Sequence, residues 1–171
     1  MMMGRALLII GALATLAFLA SGVLGYLLKG PTDGAMPRHV LVGLAACLAQ
    51  LFSHCWILVY LILTGRAIRE TVQDRGFDPS SAEEPGRHLR STAPLLLVAV
   101  FLGLATFLVG GATAEGAFRP WIHHAMFYAT LAVQGWALWQ ERRVLRATQA
   151  LIEDLDRRLA LPLQRTREVA G

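Results

Sequence analysis

His39, His54, His123 and His124 are the residues whose type and position in this chain could do chemistry. Each lies within or at the rim of a long apolar run, where an ionisable ring is costly and marks a candidate site. Neutral imidazole nitrogens ligate iron, and membrane cytochromes hold b haem between histidines supplied by two helices. Gln50 follows His39 by eleven residues, and Gln134 follows His123 by eleven. On a helix each interval is about 16 Å. His54, one turn beyond Gln50, shares its face. These spacings predict a polar seam between two helices, with histidines at the rim, amides in the middle and His54 deepest.

The seam supports two readings. In one, His39 meets His123 or His124 at the outer rim and the pair ligates a single b haem, with a quinone beside it near Trp56, Tyr60 and Tyr128. His54 lies about 22 Å from His39 along the helix. It is a further cofactor-binding candidate, but its expected neighbours on the facing helix are Gln134, Gly135 and Leu138, none of which is a usual iron ligand. In the other reading, the glutamines and His54 are interhelical hydrogen-bond glue, each worth roughly 0.6–2 kcal/mol in a membrane. The rim histidines are then ordinary interfacial residues.

The elements that position these side chains are long and apolar. Of 171 residues, 55% are hydrophobic and 16% charged, with mean hydropathy +0.49. So little charge over so long a chain points to a non-aqueous environment. Four runs, about 6–28, 40–64, 93–112 and 121–139, are each long enough to cross a hydrocarbon core and contain no Lys, Arg, Asp or Glu. An all-α, integral membrane four-helix bundle follows. Arg5 and the small residues of "LASG" (Leu19–Gly22) also fit a cleaved signal sequence. The run stays apolar to Leu28, which favours a membrane helix.

Thirteen of the sixteen Lys and Arg residues fall before the first run, between the second and third, or after Gln140. That asymmetry predicts both termini and the loop 66–91 on the cytoplasmic side of a bacterial inner membrane. The net charge of +4 expresses this topology, and no basic-aromatic surface suggests nucleic acid.

"GPTDGAMPRH" (Gly30–His39) and "GATAEGAFRPWIHH" (Gly111–His124) share Gly-x-Thr, an acid, Gly-Ala, a proline and a histidine in order. With the matched glutamines they predict two pseudo-repeated helical hairpins, related by an axis along the membrane normal. Small residues form stripes on the first helix (Ala17, Ser21, Gly25) and the third (Ala99, Gly103, Thr106, Gly110), which permit close helix approach. Cys47 and Cys55 lie about 12 Å apart on one helix and cannot bond to each other.

The central segment divides in two. Residues 64–77 extend the second helix. "DPSSAEEPGRHLRS" (Asp78–Ser91) is rich in breakers and reads as an irregular linker, with Thr92 and Pro94 opening the next helix. His88, between two arginines, is a poor metal ligand. The tail 141–171 continues the fourth helix. Val144, Thr148, Leu151, Leu155 and Leu159 recur near heptad spacing, and segment 141–161 is a candidate dock for another membrane subunit or a second copy.

No phosphate-binding loop, dinucleotide fingerprint, HExxH or CxxC occurs. The layout of four helices with histidines on the second and fourth resembles small membrane cytochrome b subunits. The likeness covers architecture and histidine placement, departs at the unmated His54, and transfers no ligand set. Two functions follow: an accessory or scaffold subunit of a larger membrane complex without catalysis of its own, or an electron-transfer subunit holding one b haem.

Overall fold

The computed structural model describes residues 2–28 and 34–170. Residues 29–33, which include the start of the first copy of the repeated corner, lie outside the described residues. Four helices run in order: α1 Met2–Leu27, α2 Met36–Arg75, α3 Ser80–Ala114 and α4 Pro120–Ala170. Neighbours in sequence pack side by side, and α1 closes the ring against α4, so α2 and α4 meet only across the diagonal. α1, α2 and α3 are long and apolar enough to cross a membrane; α4 falls below that measure among the described residues. Its share of apolar residues is lowered by the histidines, Gln134 and Thr130, most of which turn inward. At about 1.5 Å per residue, α2 is about 60 Å long, roughly twice a hydrocarbon core. α2 and α4 therefore project beyond the bilayer at the end carrying the tail.

The buried residues explain the ring. Along α1 they are Leu7, Ala14, Phe18 and Ser21, and along α3 Leu96, Ala99, Gly103 and Thr106. Along α4 they are Phe127, Thr130, Gln134, Ala137, Glu141, Val144 and Thr148. These steps of three and four residues are the seam of a left-handed helical bundle. Leu7, Ile57, Leu61, Leu96, Ala137 and Leu145 form the middle of the core. Phe18 and Phe127 stack with Ala46 and Cys47 toward the far end from the tail. Over the membrane-length part of the bundle the outer faces are apolar, with Leu13, Phe52, Trp56, Phe101, Leu108 and Trp136 all exposed, as a lipid-facing surface requires.

The linker expected over Asp78–Ser91 is helical from Ser80 onward. α2 ends at Gly76, whose φ of 64° is the left-handed conformation glycine takes at a helix C-cap. The Phe77 amide donates back to the Val72 carbonyl at 3.1 Å. The Asp78 carboxylate then accepts from the Ser80 amide (3.0 Å) and hydroxyl (2.8 Å), starting α3. Pro85 and Pro94 both sit inside α3. Pro85 is buried against Gly65 of α2, where a Cβ would come within 3.0 Å of its ring. Packing over two helices overrides the local breakers.

The tail seam packs within the chain. Leu151, Ile152 and Leu155 lie against Ile68 and Val72 of α2, Phe77 and Ala82.

Candidate functional site

His54 lies on the bundle axis, 2% exposed, and Glu141 beside it is fully buried. Its Nδ1 is 2.6 Å from Glu141 Oε1 and its Nε2 is 2.7 Å from Gln134 Oε1. The Gln134 amide nitrogen donates to Gln50 Oε1 (3.1 Å) and to the Ala99 carbonyl (3.2 Å). A single chain of polar contacts, Glu141–His54–Gln134–Gln50, thus joins the diagonal helices α2 and α4 and touches α3. Cys47, one turn before Gln50, donates its thiol to the Gly103 carbonyl at 3.6 Å. The matched depth of Gln50 and Gln134, and the shared face of Gln50 and His54, are as expected from their spacing.

Glu141 is the residue that hydropathy missed. The apolar run ends at Trp139, and Glu141 is followed by two arginines, so it reads as tail. The inward face of α4 continues past that end. Gln134, Glu141 and Thr148 are each seven residues apart and all buried, so the heptad seam, extended backward from the tail, lands on Glu141. An acidic group does lie inside the bundle, and His54 does have a mate.

The histidines do not gather around a cofactor. The His39 ring fills the notch of Gly25 on α1, 2.8 Å from where a Cβ would stand, and its Nδ1 meets the Ser21 carbonyl at 2.9 Å. The His123 ring fills the matching notch of Gly110 on α3, 2.7 Å from an added Cβ. His124 instead lies against Tyr26, ring centroids 4.8 Å apart, and Tyr26 meets Tyr128 at 2.7 Å between hydroxyls. His39 and His123 therefore wedge into different helices, each closing its own hairpin. The b haem expected between α2 and α4 is overturned. Both nitrogens of His54, the one fully buried histidine among the described residues, are taken by Glu141 and Gln134. No group of three His, Cys, Asp or Glu side chains is placed to hold a metal among the described residues. His39, His123, His124 and His54 are interhelical contacts rather than iron ligands.

Other polar pairs follow the same pattern. Thr106 and Thr130 share a hydrogen bond of 2.6 Å between α3 and α4, about two turns from Ala99 on α3 and one turn from Gln134 on α4. Among the described residues the His88 ring reaches Glu84, 3.9 Å away on its own helix. An apolar groove of about 530 Å³ opens where α1 begins, between Trp56, Tyr60 and Leu63 of α2 and Ile152 and Leu155 of α4. Compared with protein-family models, curated proteins and solved structures, the chain matches none.

Proposed function

We propose that this chain is a small accessory or scaffold subunit of a larger membrane complex, without catalysis of its own, in a bacterial inner membrane. The observation that carries the reading is where the polar groups go. His39, His54, Thr106, Thr130, Gln50 and Gln134 are spent on contacts between helices, while the outer faces stay apolar and rich in aromatic rings. Buried polar contacts of this kind fix helix register at modest net gain in stability. Polar seams inside and apolar faces outside suit a rigid helical unit that offers its surface to lipid and to other subunits.

The Lys and Arg asymmetry supports cytoplasmic termini, with α4 crossing the membrane before its extension. Paired glycine notches, Gly25 with His39 and Gly110 with His123, support an origin as two duplicated hairpins. A photo-crosslinking residue at Trp136 and, separately, at Leu13 tests the subunit reading in native membranes. The reading expects one discrete protein adduct from one of these faces. Lipid adducts alone from both faces would refute it.

A further inference from the structure

The Glu141–His54 contact does more than hold two helices together, and its hydrogen count can be worked out. The Gln134 amide nitrogen faces two acceptors, Gln50 Oε1 and the Ala99 carbonyl. Its oxygen must therefore face His54, and His54 Nε2 must carry a hydrogen to donate to it. Across the ring, Nδ1 and Glu141 Oε1 are 2.6 Å apart. Two lone pairs at that distance repel, so one proton lies between them. The pair is electrically neutral whichever atom holds that proton. This neutrality is what makes its burial tolerable.

Losing the shared proton would leave one negative charge in the bundle core. No cation faces it. α1 presents Leu7, Gly11 and Ala14, α3 presents Thr92, Leu96 and Ala99, and neighbouring positions on α2 and α4 are Ser53, Ile57, Ala137 and Val144. Arg5, Arg90, Arg142 and Arg143 are exposed, and Cys47 is bonded to Gly103. One device for the unloaded state is present. Glu141 Oε2 and Ser53 Oγ are both buried without a partner. Both converge on Gly11, 3.8 Å and 3.1 Å from where its Cβ would be. The missing side chain on α1 leaves a notch, lined also by a Leu138 methyl at 3.0 Å, beside which the carboxylate can turn from His54 to the Ser53 hydroxyl. Thr92 and Thr148 add buried, unpartnered hydroxyls. Thr148 lies one heptad from Glu141 toward the tail.

We infer that His54 and Glu141, with Ser53 at the Gly11 notch, form a proton-binding site in the bundle core, loaded from the tail end. In the loaded state the proton bridges Nδ1 and Oε1. In the unloaded state His54 is neutral, Glu141 is a carboxylate accepting from Ser53, and the proton has left past Thr148. One proton moves and no electron does. The inference does not depend on the subunit reading, which leaves this pair as a structural contact only.

The full chain in lipid nanodiscs tests it by pH-difference infrared spectroscopy with 13C-labelled glutamate. Across the pH range in which far-ultraviolet circular dichroism stays constant, the difference spectrum should contain one carboxyl band beyond those contributed by the other six glutamates. It should vanish in Glu141→Gln and persist in Glu153→Gln. Ser53→Ala removes the hydrogen bond that steadies the unloaded carboxylate, so the midpoint should rise by about one pH unit or more, a tenfold or larger change. Ser53→Ala removes a single oxygen, so it keeps the test open if Glu141→Gln does not fold. A wild-type spectrum without that additional band, the same band surviving Glu141→Gln, or a midpoint unmoved by Ser53→Ala would overturn the site. In oriented proteoliposomes, a pH jump on the tail side should reach the band faster than one on the other side. The reverse order would overturn loading from the tail end.

Discussion

Replacing His54 and Glu141 by leucine, singly and together, separates a polar pair from mere packing. His54→Leu leaves two buried acceptors without a partner, Glu141 Oε1 and Gln134 Oε1. At about 1–3 kcal/mol for each orphaned group, it should cost about 2–6 kcal/mol. Glu141→Leu leaves only His54 Nδ1 facing an apolar side chain, at about 1–3 kcal/mol. The double variant leaves only Gln134 Oε1, again about 1–3 kcal/mol. It should therefore be more stable than His54→Leu, although it carries one more substitution. The coupling energy from the cycle is about 2 kcal/mol or more. Reversible unfolding from mild detergent into sodium dodecyl sulfate, followed by circular dichroism and tryptophan fluorescence, measures all four proteins. Strictly additive single costs would refute the contact. So would equal costs for the two single variants combined with a double variant less stable than either.

The glycine notches give a second expectation. Gly22→Ala sets a Cβ 2.2 Å from the Phe127 ring and should destabilise by about 1–3 kcal/mol in the same assay, whereas Gly111→Ala meets nothing and should be neutral or gain up to about 1 kcal/mol. At the α2–α3 turn, the amide and hydroxyl of Ser80 hold the Asp78 carboxyl below the usual carboxylate range. A lowered folded value stabilises above the unfolded value and is lost as pH falls through the folded one. Carboxyl 13C titration by NMR should show the Asp78 midpoint rising in Ser80→Ala, and an unchanged midpoint would rule out the Ser80 hydroxyl contact. For topology, Ala117→Cys in a cysteine-free background should react with membrane-impermeant reagent from the periplasmic side and Glu83→Cys should not; the opposite pattern would invert the orientation.

Much of the bundle is legible because hydropathy and helical period act locally. The amide pairing of Gln50 with Gln134 comes from equal spacing after His39 and His123. The stripe of Ser21 and Gly25 reports close helix approach, and His39 does fill the space. What was illegible depended on distant neighbours. Glu141 was hidden because a hydropathy window sees its two arginine neighbours and not the face on which it stands. Only the repeat of Phe127, Thr130, Gln134, Ala137, Glu141, Val144 and Thr148 places it inside. The helix through Ser80 and Pro85 was hidden because serine and proline break isolated helices, while the notch at Gly65 that receives Pro85 lies on another helix. The haem expectation failed for a related reason. Spacing sets the depth of His39 and His123, but the glycines of α1 and α3 decide which way the rings turn.

The central claim is that Glu141 closes on His54 in the bundle core. Dipolar recoupling by solid-state NMR tests it most directly, using 15N-histidine and 13C-glutamate labels in lipid bilayers with Gln134→Leu as the reference. The account predicts a protonated His54 Nε2 that loses its hydrogen-bonded shift in Gln134→Leu. It also predicts a short Nδ1-to-carboxyl contact, matching the 2.6 Å between Nδ1 and Oε1. A His54 ring with no glutamate carboxyl within about 5 Å, beyond any hydrogen bond, would contradict it.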